Sequence, residues 1–361
     1  MSSTLKMPSV NISFTEKAKS AINRGDRGIV AIITKDIANI TDVTEIYSES
    51  DIPTNAAETT KTLVKLALKG YKKAPKKIIL VPVTEPETNG YAAALTKLET
   101  IYFNYLVVED VETNAKQTEI IDWVKNQRTE NEKLIKAILP NCTTPNLEYI
   151  INYTTRTVTE SDNVTYDSEV YCARIAGLIA GTPLNMSCTF APLDELVDCD
   201  RLNKTERDNA IKNGKLILYY DGEKVKVARG INSYTTTSDE KGDQYRKIKL
   251  VDAMDMISED IRTTAEDTYI GKYVNSYDNK CLLISAINQY FATLIPEGVI
   301  SSGYAEIDID ANKEYLKNKG VNVNELSDDE IKKYNTGDSV FLKAKISLLD
   351  TIENIELPIT I

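Results

Sequence analysis

Apolar and polar residues alternate close to the start of the chain. Val10, Ile12 and Phe14 are separated by Asn11 and Ser13, the period of a half-buried strand. A polar stretch ending at Pro8 precedes them, and no turn with a partner strand follows. Thr15 to Asn23 reads instead as a short helix with Ala18, Ala21 and Ile22 on one side. The first strand therefore needs a partner far along the chain or on another chain. Between Gly28 and Gly181, strand and helix patterns take turns. Ile29 to Ile33 is a continuous apolar run, as in a strand covered on both faces. Thr59 to Lys69 follows as a helix with Leu63, Leu66 and Ala67 on one face. Lys77 to Val83 reads as a strand, Tyr91 to Thr100 as a helix, Tyr105 to Val108 as a strand, Thr118 to Lys133 as a helix and Leu134 to Leu139 as a strand. Asp167 to Ala180 closes the series as a helix ending at Gly181 and Pro183. Repeated strand–helix units predict a layered α/β domain with a mainly parallel sheet.

From about Thr189 the pattern changes. Leu216 to Tyr220, Asp221-Gly222 and Lys224 to Val227 read as a β-hairpin with a two-residue turn. Lys249 to Tyr269 is a long helix in which Val251, Met254, Ile257, Ile261 and Ala265 share a face, and Lys280 to Leu294 is a second helix. Both stripes read as core. A strand (Tyr304 to Ile309), a helix (Asn312 to Lys319) and an alternating stretch (Val340 to Leu348) follow. A second alternation comes last, Ile355, Leu357, Ile359 and Ile361, with Pro358 suited to a sheet edge. Unpaired strands at both ends are an aggregation hazard in a monomer and an asset if each pairs with a neighbour's sheet.

Composition narrows the chemistry. The 361 residues suggest two domains or one large one, and 42% hydrophobic with 27% charged residues is ordinary for a globular protein. A net charge of −11 disfavours nucleic acid as a partner. The basic run Lys69 to Lys77 reads as a helix end and turn. No apolar stretch approaches a membrane span, and the start lacks the apolar core of a secretory signal, so synthesis and assembly in the cytoplasm are expected without membrane insertion. Histidine is absent, which removes the commonest general base and metal ligand together. The five cysteines form no Cys-x-x-Cys pair and read as reduced, buried thiols. No phosphate-binding glycine loop or nucleophile elbow occurs. Arg24 to Gly28 reads as a tight turn, and the acidic cluster Asp194, Glu195, Asp198 and Asp200 lacks the ligand ladder of a calcium loop. No cofactor, metal or catalytic residue is expected.

Several segments in order resemble contractile tail sheath proteins, particularly the short sheaths of phages of Gram-positive hosts and of R-type phage-tail-like bacteriocins. They are PSVNISFTEKAKSAINRGDRGIVAI (Pro8 to Ile32), ARIAGLIAGTPLNMSCT (Ala173 to Thr189), KLILYYDGEKVKVARGINSYTT (Lys215 to Thr236), the helical stretch from Lys247 to Lys280 with AINQYF after it, and NTGDSVFLKAKISLLDTIENIELPITI at the end. Ile37 to Asn152, the family's variable outer region, matches least. The resemblance implies a non-enzymatic subunit that forms six-fold rings stacked around an inner tail tube protein and contracts to drive the tube through a cell envelope. Its expected partners are copies of itself, the tube, and baseplate and tail terminator proteins, in a virion or a released phage-tail-like particle. The implied fold is an α/β outer domain (21–188) and an α+β core domain (189–350), flanked by an N-terminal arm (1–20) and a C-terminal arm (351–361). Val10, Ile12 and Phe14, with Ile355, Leu357 and Ile359, are the expected strand-exchange residues, and Ser2 to Pro8 and Ser347 to Asn354 the expected hinges. Lys313, Lys317 and Lys319 resemble a tube-facing segment. Two other readings are the sheath of a related contractile injection system and, from a different class, a cytosolic α/β enzyme binding a small molecule at the carboxyl edge of its sheet.

Overall fold

The computed structural model describes Ile22 and residues 27–36, 38–83 and 90–360. The predicted helix Thr15 to Asn23 apart from Ile22, most of the turn Arg24 to Gly28, and Val10, Ile12 and Phe14 lie outside the described residues. In chain order, the elements are β1 (Ile29–Thr34), β2 (Thr44–Ile46), α1 (Glu58–Leu68), β3 (Lys77–Pro82), α2 (Gly90–Leu98), β4 (Tyr105–Val108), α3 (Gln117–Thr129), β5 (Lys136–Pro140), β6 (Ile150–Tyr153), β7 (Thr157–Glu160), β8 (Thr165–Asp167) and α4 (Ser168–Ala180). They continue with β9 (Leu196–Cys199), α5 (Lys204–Lys212), β10 (Lys215–Leu216), β11 (Leu218–Tyr220), β12 (Val225–Val227), α6 (Ile248–Thr264), α7 (Tyr277–Leu294), β13 (Ile300–Ile307), α8 (Ile309–Asn318), α9 (Asp328–Lys333) and β14 (Leu342–Leu348). The chain divides into a larger unit, described over 27–259, Glu297–Ser301 and 348–360, and a smaller one, Asp260–Pro296 with Ser302–Ser347.

The larger unit is built on a seven-stranded sheet of order β10-β6-β5-β4-β1-β3-β2. All its pairings are parallel except β2 with β3. The apolar run of β1 alternates between two cores. Val30 and Ile32 face a cluster with Leu63, Val64, Ile175 and Ile179 from α1 and α4. Ile29, Ala31 and Ile33 face Ala94, Leu95, Ile120 and Val124 from α2 and α3. Every residue of β1 is buried, as a two-sided strand requires. Helices α1 and α4 meet closely because Gly177 has no side chain: a Cβ there would lie 1.9 Å from the Ala67 carbonyl oxygen. Asp167 caps α4 by accepting from the Val170 amide, 2.9 Å away.

Three local expectations change. The hairpin of β11 and β12 pairs Tyr220 with Val225, so its loop is the four residues Asp221 to Lys224. Asp221 folds that loop, accepting from the Glu223 and Lys224 amides at 2.9 and 2.8 Å. Leu216 leaves the hairpin for β10 and joins the main sheet beside β6. The long helix α6 ends at Thr264, and a wider π-type turn covers Ala265–Tyr269.

In the smaller unit, Tyr290 on α7 donates to buried Asp260 on α6 at 2.6 Å. Lys280 donates to Thr336 Oγ1 at 3.1 Å. Leu316, Val323 and Ile331 form a compact core under α8 and α9. Asp308 caps α8, and a Ser327–Glu330 capping box starts α9.

Candidate inter-subunit surface

After β14 the backbone enters no further strand or helix among the described residues. It is nonetheless held at its root. The Leu349 amide donates to the Val299 carbonyl at 2.9 Å. The Lys249 ammonium donates to the Leu349 carbonyl, and Lys247 pairs with Asp350. Glu353 is the densest point. Its Oε2 accepts from Arg229 Nε (3.0 Å), Arg229 Nη2 (2.7 Å) and Lys247 Nζ (3.0 Å), and its Oε1 from the Thr189 hydroxyl (2.8 Å). The Thr189 oxygen in turn accepts from the Gly230 amide at 2.9 Å. The Glu353 side chain is 8% exposed. Burial raises its pKa, but the hydrogen bonds from Lys247, Thr189 and Arg229 outweigh that and hold the carboxyl below the ordinary glutamate range. Within Ser347 to Asn354, the residues Leu349, Asp350 and Glu353 are therefore clamped.

Beyond the clamp the segment is bare. Ile355, Leu357 and Ile359 are 82%, 75% and 76% exposed. Sequence alternation found these three. It missed the clamp, although the acidic residues Asp350 and Glu353 and the basic pair Lys247 and Lys249 were visible as charges.

The expected tube-facing lysines sit differently from one another. Lys313 pairs with Asp328 at 2.9 Å, Lys319 lies 5.6 Å from the Tyr315 ring centre, and Lys317 is exposed.

At the carboxyl edge of the parallel sheet, where an α/β enzyme would bind its ligand, described side chains bond to one another. Glu109 accepts from the Thr34 hydroxyl and the Lys35 amide, both at 2.7 Å. Glu112 accepts from Asn141, and Glu169 from the Thr113 hydroxyl at 2.7 Å. Burial raises Glu169, only partly offset by those bonds. The acidic cluster is dispersed. Glu195 pairs with Arg174, Asp198 with Arg201 and Asp194 with Lys224, while Asp200 accepts from Thr157. No group of residues suited to a metal occurs among the described residues. Burial pushes the Cys142 and Cys188 thiols up to about 12 and Cys199 up to about 11, far from a reactive thiolate.

A second polar cluster ties α6 to the sheet. Lys136 on β5, 4% exposed, reaches Asp252 at 3.0 Å and also Asp255. Arg128 clasps Asp255 at 2.8 and 3.1 Å, and Tyr105 donates to Asp252 at 2.7 Å. Burial raises Asp255, but the two cations outweigh it and its carboxyl stays below the usual range. Each charge in this cluster has an opposite partner, the condition for burying charge at all.

Two family models cover most of the chain: the phage tail sheath protein central domain over residues 84–233 and the phage tail sheath C-terminal domain over 240–361. The tail sheath protein of Clostridium phage phiCD119 is 38% identical over 354 residues, which span 96% of this chain and 97% of that one. The crystal structure of a sheath tail protein from Desulfitobacterium hafniense superposes with a TM-score of 0.70 at 18% identity, covering 83% of this chain and 94% of the other. The helical sheath of the anti-feeding prophage, solved in its contracted state, gives a TM-score of 0.70 at 15% identity over 99% of both chains. At such identities the likeness is one of fold.

Proposed function

The chain belongs to the phage tail sheath family, and on that premise we propose that its subunits join in six-membered rings, stacked helically around an inner tail tube, through exchanged terminal strands. The observation that carries this reading is the C-terminal segment: clamped at Glu353, then bare over Ile355, Leu357 and Ile359. A row of exposed apolar side chains at strand period is stable in water only when a sheet covers it. Val10, Ile12 and Phe14 supply the corresponding N-terminal strand. The arms are residues 1–20 and 351–361, with an outer α/β domain over 21–188 and a core over 189–350.

Contraction is a rigid-body rearrangement of subunits, with dihedral changes taken up near the arms. Added burial in the contracted state supplies the driving free energy. Lys313, Lys317 and Lys319 face the tube, and baseplate and terminator proteins close the two ends. Assembly takes place in the bacterial cytoplasm, and the sheath leaves the cell within a phage virion or phage-tail-like particle. The relative from phage phiCD119 and the fold shared with a contracted helical sheath support this reading. Negative-stain electron microscopy of the concentrated protein tests it. Hollow tubes or stacked six-fold rings are expected, while small discrete particles at every salt and concentration, even with a tube template, would reject it.

A further inference from the structure

Helix α5 is held to the larger unit without being buried in it. An Asn203–Glu206 capping box fixes its first turn, yet none of its residues is buried. A helix that is polar all round is either covered from outside or laced by its own ion pairs. Here the lacing is missing. Among the described residues, Lys204, Arg207 and Lys212 meet no carboxylate, and Asp208 meets no cation. Neighbouring cations do find partners: Arg201 pairs with Asp198 at 2.8 Å, Lys224 with Asp194 at 3.6 Å, and Lys226 with Asp221.

Beside the helix stands an aromatic pair. The Arg207 guanidinium lies 5.1 Å from the centre of the Tyr219 ring, and the Phe190 ring meets Tyr219 edge-on at 6.0 Å. Phe190 is 54% exposed. Its backbone sits in the left-handed region, at a φ of 56°, where a bulky residue is strained. Two bonds hold it there: the Phe190 amide donates to the Val227 carbonyl at 2.9 Å, and the Ala191 amide to the Cys188 carbonyl at 3.0 Å. Strain of this kind persists where a side chain is presented for a purpose beyond the fold.

Charge decides what covers this surface. Between Arg201 and Lys226 the sequence holds seven Lys and Arg against four Asp and Glu, whereas the whole chain holds 43 against 54. A basic island on an acidic molecule is complementary to the rest of that same molecule. A two-fold pairing of islands would set like charges against each other. A head-to-tail contact, island on acidic surface, avoids this and builds rings or filaments.

Resting on the ring-and-tube assembly proposed above, we infer that the surface formed by α5, Phe190 and Tyr219 docks on an acidic surface of a second copy, with Lys204, Arg207 and Lys212 as its cations and Phe190 as its apolar contact. The test assembles tubes from an equal mixture of ordinary and heavy-isotope-labelled full-length protein. A zero-length carbodiimide then joins lysines to the carboxylates they touch. Mass spectrometry is expected to find Lys204 or Lys212 joined to an Asp or Glu in products of mixed isotope, the mark of two copies. Lys204→Glu with Arg207→Glu alters a helix that buries nothing, so circular dichroism should match the wild type. The concentration for half-maximal tube formation should nevertheless rise about tenfold at low salt. The gap should close near ~1 M salt, where screening acts over about 3 Å. Phe190→Asn relieves the backbone and removes the ring. Its isolated subunit should melt at or above the wild-type temperature, while its tubes need more protein. A lower melting temperature with unchanged tube formation would strike Phe190 from the surface. Wild-type tubes without mixed products at Lys204 or Lys212, and a double variant that assembles like the wild type, would overturn the inference and leave the sheath assembly standing. Wild-type protein that forms no tubes under any condition would overturn that assembly and this contact with it.

Discussion

The parallel sheet and the C-terminal segment are both strand-forming, apolar and alternating, yet they end in opposite states. In β1 every side chain is buried by α1 and α4 on one face and by α2 and α3 on the other. In the last residues the apolar row is exposed. The difference does not lie in intrinsic strand propensity, since Ile and Val or Leu dominate both. It lies in whether the same chain supplies a cover. A segment whose cover must come from elsewhere contributes nothing to the stability of its own subunit and a great deal to the stability of an assembly.

That contrast is broken most directly by deleting Glu356 to Ile361. Tubes should be lost completely, and the melting temperature of the isolated subunit should hardly move. Intact tubes in the electron microscope, or a large fall in melting temperature, would show that the segment is not an outward-directed element. The opposite lesion strikes the covered region. Lys136→Met leaves Asp252 without its cation and Asp255 with Arg128 alone. Removing one partner of a buried charge cluster typically costs about 3–5 kcal/mol, so chemical denaturation should show a loss of that order. Asp252→Asn in the same background should restore part of it, because the uncompensated carboxylate is gone and the amide oxygen can still accept from Tyr105. Gly177→Ala comes next. The added methyl would collide with the Ala67 backbone and force α1 and α4 apart, at about 1–3 kcal/mol. A neutral Gly177→Ala would mean that the two helices slide without cost.

How much of this was legible in the sequence follows the same division. The parallel sheet was legible because β1, β3, β4 and β5 are short apolar runs alternating with amphipathic helices, whereas the antiparallel β2, Thr44-Glu45-Ile46, and the strand β6 were not read from the sequence. The short strands β7, β8 and β9 and helix α5 were not. The two-residue β10 owes its place to its neighbour β6, and α5 buries no residue at all. The apolar tip of the last segment was legible from period two alone. Its clamp was not, because Thr189, Arg229, Lys247 and Glu353 are scattered over more than 160 positions and become one site only through folding. The Asn288 contact was equally hidden: an asparagine on a helix carries no sign that its side-chain amide bonds both the N–H and the carbonyl of Ala305. Charge and amide chemistry that joins distant elements leaves no periodic trace, whereas burial does.

The smallest expected effect concerns the junction between the held and the bare parts. Glu353→Gln keeps the shape of the side chain and removes its charge, so Arg229 and Lys247 lose their common anion. Hydrogen bonds to a charged group are worth about 1.5–3 kcal/mol, and part of that survives in the amide, so local opening of Leu349 to Glu353 should rise about tenfold. Hydrogen exchange of the isolated subunit reads this directly, with Ile355 to Ile359 as an internal reference for unprotected backbone. The same clamp should respond to pH with a defined sign. A carboxyl held below its ordinary range adds stability at neutral pH that is lost as the pH falls through its folded-state value. Wild-type protection of the root should therefore fade on acidification below the usual glutamate range, and the Gln variant should show a flatter profile there. Equal pH dependence in both proteins would remove Glu353 from the clamp and pass the anchoring role to Asp350 and Lys247. Root amides that exchange as fast as those of the tip in the wild type would erase the boundary between the two parts altogether.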